Sequence, residues 1–446
     1  MPARTSRATM TRRLLFWLLL GLAPLPAQNV RPLTILHSND LHAHIVPNDL
    51  DKGGFARLAT AVREEKQHTQ ACLYLNAGDL VQGTPVSTLF HGVPVYQIAN
   101  RLGFDAGTVG NHEFDYGWKR VQEFARIAHY PLLSANVVDA NGSPLTGKAY
   151  VIKTVGGIRV GIIGVVLGDL SGVFVTPDKV EPWRVLPVVE TVRKYAQELR
   201  ERSDLIVVLG HIHDQEEVDA ILHQVPEVSV IVVGHNHNGY PEMKNVDGRV
   251  AVLVHGYGVE LGRLDLQVDV PGKKLQSAQW KRIPIDAKIQ PDPKVAREVA
   301  GWEAKVSKVV DVPIGESKRR LEGRELQLLL EQALAEETGA DLAFVNRGGV
   351  RDVVPEGRIL ARAIWNIQPF DNLVVIGTFK GSELPPAIRE GHTIEPDREY
   401  KVATLDFVAT NQAAQFKTTG LKFPINTGIL ARDMVIEWIR KRKTLP

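Results

Sequence analysis

The amino-acid sequence predicts an α/β protein with two folded domains. Its 446 residues are enough for two or three domains with large cores. Up to about residue 285, short runs of Leu, Ile and Val alternate with segments of helical periodicity at 53–66, 119–128 and 186–202. This alternation is typical of a sheet that is covered on both faces. Beyond residue 286 the alternation stops, which indicates a second structural unit.

The domain boundaries follow from these changes in pattern. We expect a first domain over residues 28–285. Residues 286–312 begin with proline-marked turns and continue as one amphipathic helix, which we interpret as a linker. Residues 313–446 then form a smaller α+β domain, which opens with a helix in "RELQLLLEQALAEETG" and ends with a helix near 428–441.

The N-terminus has the order of a secretory signal. Four arginines precede the apolar run "LLFWLLLGLA", and "PLPAQN" supplies a small residue before a polar start. The apolar run is too short to span a bilayer comfortably. We therefore expect a signal peptide over residues 1–27, no integral membrane segment in the mature chain, and export to the periplasm or the extracellular space.

The composition narrows the classes of partner. A net charge of +2, with no block of like charges, gives no reason to expect a nucleic-acid polymer as partner. The single cysteine, Cys72, excludes an intrachain disulfide, and its apolar neighbours indicate a small buried side chain. We expect a monomer that acts on a small molecule.

Polar clusters stand where the predicted strands end, and ligands of α/β sheets bind at the carboxyl ends of strands. The clusters offer two carboxylates, one amide oxygen and four imidazoles. These candidate metal ligands are Asp40, His42, Asp79, Asn111, His211, His235 and His237. Mixed nitrogen and oxygen donors suit Zn, Mn or Fe rather than Ca or Mg. Seven donors suffice for two divalent metal ions when one carboxylate bridges them.

Each of these short patterns also has a plainer interpretation when it stands alone. A single D-x-H or G-H-x-H is weak evidence for a metal site, and "TVGNHEFDYG" at 108–117 could be a polar surface turn. The occurrence of the clusters in order at successive strand ends favours one shared site. Of the other histidines, we expect His44 and His213 to support ligands, while His255 either lines the site or lies on the surface.

The polar clusters and their flanking residues resemble those of a known family. D-x-H, G-D, G-N-H-[ED], G-H and G-H-x-H in this order resemble the metallophosphoesterase (calcineurin-like) pattern. "ILHSNDLHAH", "NAGDLVQGTP", "GNHEFDYG" and "PLLSANV" are similar to the 5′-nucleotidase family, over nearly all of the mature chain. The resemblance implies a four-layer α/β/β/α sandwich followed by a smaller α+β domain that binds the substrate.

The resemblance also implies a distribution of the candidate ligands between two metals. One metal is assigned to Asp40, His42, Asp79 and His237. The second is assigned to Asp79, Asn111, His211 and His235, so that Asp79 is the bridge.

The same resemblance makes His112 and Asp115 the catalytic dyad. His112 can hydrogen-bond the phosphoryl or leaving-group oxygen, and Asp115 can hold the other imidazole nitrogen and favour the charged form. The alternative for His112 is a structural imidazole beside the ligand Asn111. Glu113 and Phe114, between the two residues of the dyad, receive no chemical role, and we expect them to support the loop.

In the second domain, the resemblance implies a substrate pocket. "NRGGVR" at 346–351 is similar to the segment that binds the nucleotide, which assigns Asn346 and Arg351 to the substrate. Phe370 and Phe407 would stack on a base, with core packing as the alternative. Arg324 is a further candidate. The chain departs from the family pattern at "DFVATNQAAQF", which lacks the expected G-G-D-G segment, and at "RELQLLLEQ", which replaces E-S-x-L-G-N.

We therefore expect an exported phosphohydrolase that uses two divalent metals. Its substrates would be nucleoside 5′-monophosphates or related nucleotides. The altered second-domain segment leaves three other activities open on the same scaffold: a 2′,3′-cyclic nucleotide phosphodiesterase, a UDP-sugar hydrolase and a thiosulfohydrolase. A binding module without turnover is the alternative from a different class, but such a module would have no need of His112 and Asp115.

Overall fold

The computed structural model describes Met1, residues 30–170 and residues 177–446. The predicted signal peptide lies outside the described residues. In the part of the chain that is described, no helix combines the length and the apolar character needed to cross a membrane.

The chain contains strands and helices in alternation. The strands are β1 (Val30–Ser38), β2 (Cys72–Asn76), β3 (Ala106–Thr108), β4 (Leu132–Leu133), β5 (Val137–Val138), β6 (Tyr150–Val155), β7 (Ile158–Val166), β8 (Arg184–Val185), β9 (Leu205–His211), β10 (Val230–Gly234), β11 (Lys244–Val246), β12 (Arg249–Val252), β13 (Glu260–Asp269), β14 (Lys274–Pro284), β15 (Pro313–Ser317), β16 (Leu342–Phe344), β17 (Gly357–Leu360), β18 (Leu373–Lys380), β19 (Glu399–Leu405), β20 (Ile425–Leu430) and β21 (Thr444–Leu445). The α-helices are α1 (Phe55–Gln67), α2 (Pro85–Phe90), α3 (Val93–Ala99), α4 (Trp118–Ile127), α5 (Val188–Leu199), α6 (Asp219–Gln224), α7 (Pro293–Val310), α8 (Gly323–Thr338), α9 (Ala361–Ile367), α10 (Pro386–Arg389), α11 (Asp406–Thr410), α12 (Gln412–Phe416) and α13 (Ala431–Arg442).

Two six-stranded sheets form the centre of the first domain. The first has the order β14-β13-β1-β2-β3-β4 and the second the order β11-β12-β10-β9-β7-β6. The central strands of each sheet are parallel, whereas β13, β14, β6 and β11 pair antiparallel at the edges. Because the inner strands run in one direction, their carboxyl ends meet along one edge of each sheet, where ligands of such folds bind.

The cores show how the layers stack. One buried cluster combines Leu33 and Leu75 of the first sheet with Val160 and Val207 of the second, so the two sheets pack face to face. A second cluster lies under α1, α3 and α4 on the outer face of the first sheet, and a third lies under α5 and α6 on the second. The predicted α/β fold with a four-layer first domain is confirmed. Each sheet is covered by helices on one face and by the other sheet on its second face.

The helix that the sequence assigns to a linker packs on the first domain. Val299 and Val306 of α7 belong to the same buried cluster as α1, and Phe90 of α2 contacts Trp302 of α7. The second domain has its own core around a four-stranded sheet of order β16-β19-β18-β20, a three-stranded sheet, and helices α8 and α13. Arg362 of α9 bonds Asp311 at 2.6 Å, which ties this domain to the end of α7.

His37 of β1 is fully buried in the first sheet and carries a clear pH dependence. Gly262 on β13 leaves room for the ring, and Trp280 of β14 donates its indole N–H to His37 Nε2 at 2.9 Å. Burial lowers the pKa of His37 to about 3 from 6.5. Between these values the unfolded chain binds a proton and the folded chain does not, so the free energy of unfolding falls as the pH drops through this window.

We predict that His37→Gln, which keeps an acceptor for Trp280, removes this part of the acid sensitivity. From pH 7 to pH 5 the wild type should lose about 2 kcal/mol more free energy of unfolding than the variant, because protonation of the unfolded histidine is then absent from the variant. Urea titrations at the two pH values measure the difference. An equal loss in both proteins would contradict the role given to His37.

Candidate active site

The candidate ligands lie on segments that follow strands of both sheets. Asp40 and His42 follow β1, Asp79 follows β2 and Asn111 follows β3, all in the first sheet. From the second sheet, His211 ends β9, while His235 and His237 follow β10. The structure brings all seven predicted donors to one edge of the sandwich. Five of them are buried, and His235 and His237 are partly exposed, with the His237 side chain 23% exposed.

The first group of donors contains Asp40, His42, Asp79 and His237, whose ligand atoms all lie within 4.8 Å of one another. His42 Nε2 is 3.0 Å from His237 Nε2 and 3.6 Å from Asp79 Oδ2. Asp40 Oδ1 lies 3.5 Å from His237 Nε2. These are separations that ligands around one small metal ion have when each metal–ligand bond is about 2.0–2.2 Å.

A second group of donors shares Asp79 with the first. His211 Nε2 lies 3.1 Å from Asp79 Oδ2 and 3.1 Å from Asn111 Oδ1. His235 Nδ1 is 3.2 Å from the same amide oxygen. The other nitrogen of His211, Nδ1, donates to the Ala77 carbonyl at 2.9 Å, which fixes Nε2 towards the site. The Asp79 carboxylate therefore lies between the two groups.

The electrostatics of the site fit divalent cations. Burial lowers the pKa of His235 and of His237 to about 3 and holds that of His42 well below its ordinary value, so these imidazoles are neutral donors. Burial raises the pKa of Asp40 to about 6. For Asp79, burial opposes ionisation, but His211 and His112 outweigh it and hold its pKa well below the usual range. Buried carboxylates need such compensating positive charge, and two divalent metals would supply it.

Glu113, which the sequence leaves without chemistry but assigns to the support of its loop, holds the loops that carry the ligands. Its side chain is fully buried, and its carboxylate accepts the backbone N–H groups of Asp79 at 3.1 Å, Leu80 at 2.8 Å and Gly110 at 2.5 Å. Asp79 has a positive φ of 50°, a left-handed conformation that is costly outside glycine. The three hydrogen bonds offset this strain. The only sequence signal for this role was the position of Glu113 next to the dyad.

Tyr257 is another supporting residue that sequence reasoning missed. It has a positive φ of 65°, and its N–H donates to the Asp40 carbonyl at 2.6 Å. Its hydroxyl lies 3.0 Å from His237 Nδ1, so it orients this imidazole with Nε2 towards the site. His44 behaves as expected of a supporting residue, since its Nδ1 lies 2.9 Å from the His42 carbonyl.

Two histidines at the margin of the site have different surroundings. His213 stands edge-on to the ring of His235, with ring centroids 5.0 Å apart. His255 follows β12, but its Nδ1 lies 3.0 Å from Glu260 Oε2 and its side chain is 43% exposed. His213 therefore contacts a candidate ligand, whereas His255 is engaged with Glu260.

The structure brings together His112 and Asp115, the two residues predicted to form the dyad. His112 Nδ1 lies 2.8 Å from Asp115 Oδ2 and donates to it, because an ionised carboxylate can only accept. Burial disfavours the charged imidazole, but Asp115 and Asp79 outweigh it and raise the pKa of His112. The backbone N–H of His112 donates to Asp79 Oδ1 at 2.9 Å, which fixes the dyad relative to the donors.

Gln82 extends the hydrogen-bonded pair His112–Asp115. Its side-chain amide donates to the same Asp115 oxygen at 2.9 Å, and its own carbonyl oxygen accepts the N–H of Gly83 at 2.9 Å. Gln82 is buried and has a positive φ of 67°. Asp115 is therefore held from two sides, and the sequence showed Gln82 only as part of the string "NAGDLVQGTP".

The second domain reaches the site with two of its predicted residues. Arg351 Nη2 lies 3.2 Å from His42 Nε2, and the ring of Phe370 stacks on His112 with centroids 5.7 Å apart. The other three lie elsewhere. Asn346 is buried at the start of its loop, Phe407 packs against the core of the second domain, and Arg324 lies 3.7 Å from Glu331.

Comparisons with known proteins agree with this architecture. Residues 33–239 match the model of the calcineurin-like phosphoesterases, and residues 305–392 match that of the 5′-nucleotidase C-terminal domain. The chain is 28% identical to the endonuclease YhcR of Bacillus subtilis, over 93% of this chain and 40% of that protein. It is 29% identical to a 5′-nucleotidase of Bos taurus, over 88% of this chain and 76% of that protein. The crystal structure of a 5′-nucleotidase precursor from Thermus thermophilus superposes with a TM-score of 0.82 at 24% identity, over 93% of this chain and 97% of that one.

The fold and the site together define a metal-dependent phosphoester hydrolase, with a buried Asp/His cluster that is compatible with two metals. In this chain a calcineurin-like phosphoesterase domain precedes a 5′-nucleotidase C-terminal domain, and the chain is similar to 5′-nucleotidases in both sequence and structure.

We predict that Gly110→Ala weakens metal binding by about 10- to 100-fold or more, the range found when support of a ligand is lost. A Cβ at Gly110 would overlap Asp79 Oδ1 and would lie only 2.6 Å from the Asp79 nitrogen, so this ligand must move. Gly301→Ala in α7, where a Cβ meets no atom within 4 Å, is the matched control. Calorimetric titration with Mn²⁺ measures the affinity, and wild-type affinity in Gly110→Ala would contradict the prediction.

We also predict that Gln82→Met lowers kcat about 10-fold, which corresponds to the loss of about 1.4 kcal/mol from one hydrogen bond to the dyad. The effect should vanish in an Asp115→Asn background, because both substitutions act through the same contact. Steady-state kinetics of the two single variants and the double variant give the coupling. Additive effects would show that Gln82 does not act through Asp115.

Proposed function

We propose that the protein is an exported 5′-nucleotidase that releases phosphate from nucleoside 5′-monophosphates or related nucleotides. The observation that carries the proposal is the position of the His112–Asp115 dyad beside two donor groups that share Asp79. The second domain supports a nucleotide-type substrate, because it matches the C-terminal domain of the 5′-nucleotidase family. The bovine relative carries the name 5′-nucleotidase. Export is supported by the signal-like order of residues 1–27.

The donor set would hold two divalent metals, of which Zn, Mn and Fe suit mixed imidazole and carboxylate ligands. We propose the distribution that the family resemblance implies, with Asp40, His42 and His237 on one side of Asp79 and Asn111, His211 and His235 on the other. When bound, such a pair lowers the pKa of a water and neutralises charge on the phosphate oxygens.

The chain's own groups handle the proton and the orientation of the substrate. His112 keeps Nδ1 on Asp115, which leaves Nε2 to donate a hydrogen bond or a proton to the oxygen of the leaving alcohol. Asp115 and Asp79 favour the protonated form that this step requires. Arg351 enters from the second domain beside His42, where its guanidinium can bind a phosphate oxygen. Together these groups would orient the phosphate and protonate the oxygen of the leaving alcohol.

Hydrolysis of AMP, UDP-glucose, 2′,3′-cyclic AMP and bis-p-nitrophenyl phosphate, each with Mn²⁺ or Zn²⁺ and with the organic products and free phosphate measured separately, tests the proposal. Release of phosphate from AMP is the expected result. Turnover restricted to the cyclic nucleotide or the diester would identify a phosphodiesterase, and turnover restricted to UDP-glucose would identify a UDP-sugar hydrolase. Release of sulfate from a thiosulfonate-bearing substrate, with AMP inert, would identify a thiosulfohydrolase. A protein that binds two metals and turns over none of these would be a binding module.

We predict that His112→Ala lowers kcat on AMP by about 10²- to 10⁴-fold while the metal content is kept, because the imidazole protonates the leaving oxygen and is not among the donors. The loss should be much smaller on p-nitrophenyl phosphate, whose leaving group needs no proton. Metal analysis and kinetics on both substrates separate the roles. Equal losses on the two esters would exclude His112 as the proton donor, and loss of metal would make it a ligand.

A further inference from the structure

A cavity of about 390 Å³ lies between the two domains beside the metal site. Tyr257 and His44 line it on the first domain, and Arg320, Arg347 and Arg351 line it on the second. Tyr257 contacts His237 and Arg351 contacts His42, so the cavity leads directly to the candidate metal ligands. A leaving group attached to a phosphate at the metal site would therefore extend into this cavity.

Four of the five Asp and Arg side chains of the lining have a polar partner among the described residues. Arg320 forms an ion pair with Asp49 of the first domain, and Asp352 accepts a hydrogen bond from Asn366. Within the described residues, the Arg347 side chain has no hydrogen bond or ion pair. Three guanidinium groups outnumber the two carboxylates of the lining, so the cavity is cationic.

The aromatic rings expected to hold a base do not line this cavity. Phe370 lies against His112, and its carbonyl oxygen is fixed there by Arg432 Nη1 at 3.0 Å. Thr88 of the first domain donates to the neighbouring Pro369 carbonyl at 3.1 Å. Phe407 packs against the core of the second domain, and Tyr257 is engaged with His237. The cavity thus offers the leaving group positive charge rather than a flat stacking surface.

We propose that the preferred substrates carry a second anionic group, a phosphate or a carboxylate, on the leaving group, and that Arg347 binds this group. The inference rests on the proposed function and narrows its substrate class. Arg347 stands four residues before Arg351 on the same loop, so one loop contacts both anionic groups of the substrate. The reaction is ordinary hydrolysis: the oxygen of water bonds to phosphorus, the bond to the leaving oxygen breaks, and that oxygen takes up the proton.

Matched pairs of substrates test the proposal on the intact protein. AMP is compared with adenosine 3′,5′-bisphosphate, and glycerol 3-phosphate with 3-phosphoglycerate, so that each pair differs by one anionic group on the leaving alcohol. The wild type should prefer the doubly anionic member of at least one pair by about 10-fold or more in kcat/KM, the size of a charge-assisted hydrogen bond. The pair that shows the preference identifies the anion as phosphate or carboxylate.

Arg347→Gln should abolish that preference through KM, with kcat little changed. Arg358→Gln, on an exposed arginine of β17 outside the cavity lining, is the control and should keep the preference. Higher ionic strength should weaken the preference in the wild type and have little effect on it in Arg347→Gln. A wild type without preference in either pair, or a preference that survives Arg347→Gln, would overturn the proposal. Absence of phosphate release from all four esters would instead refute the proposed function.

Discussion

The rest of the site depends on the position of the Asp79 carboxylate between two groups of donors. Its Oδ2 is 3.1 Å from an imidazole of the second sheet and 3.6 Å from an imidazole of the first, and its Oδ1 accepts the backbone N–H of His112. One side chain therefore links both candidate metal positions to the dyad. The left-handed backbone of Asp79, its N–H hydrogen bond to the Glu113 carboxylate and the lack of a side chain at Gly110 all keep the Asp79 carboxylate in place.

The donors could be predicted from the sequence because their chemistry is local. Asp40, Asp79 and Asn111 each come directly after an apolar strand, and parallel strands bring their carboxyl ends together whatever the details of packing. Helices could be predicted in the same way. The segment predicted to be helical at 186–202 contains α5 (Val188–Leu199), most of whose apolar residues are buried. The division into two stacked sheets followed from the resemblance and not from the pattern, because a strand buried by helices and a strand buried by a second sheet have the same apolar sequence.

The supporting residues could not be predicted because their contacts are set by the tertiary structure. Gln82 acts on Asp115 from 33 positions away, and Tyr257 acts on His237 from another strand end. The directions of side chains in the second domain could not be predicted from the sequence either. Arg320 and Arg324 are four residues apart near the start of α8, yet the structure directs the first into the cavity and the second towards Glu331. Spacing alone does not decide such a choice.

We propose that seven side chains from both sheets hold two metals through one shared carboxylate. Metal stoichiometry in Asp79→Asn and His237→Ala, measured by elemental analysis after loading with Mn²⁺ and gel filtration, tests this arrangement. The wild type should bind two ions per chain, His237→Ala should keep one, and Asp79→Asn, which weakens both positions, should keep none. One ion in the wild type, or two in Asp79→Asn, would contradict the shared site.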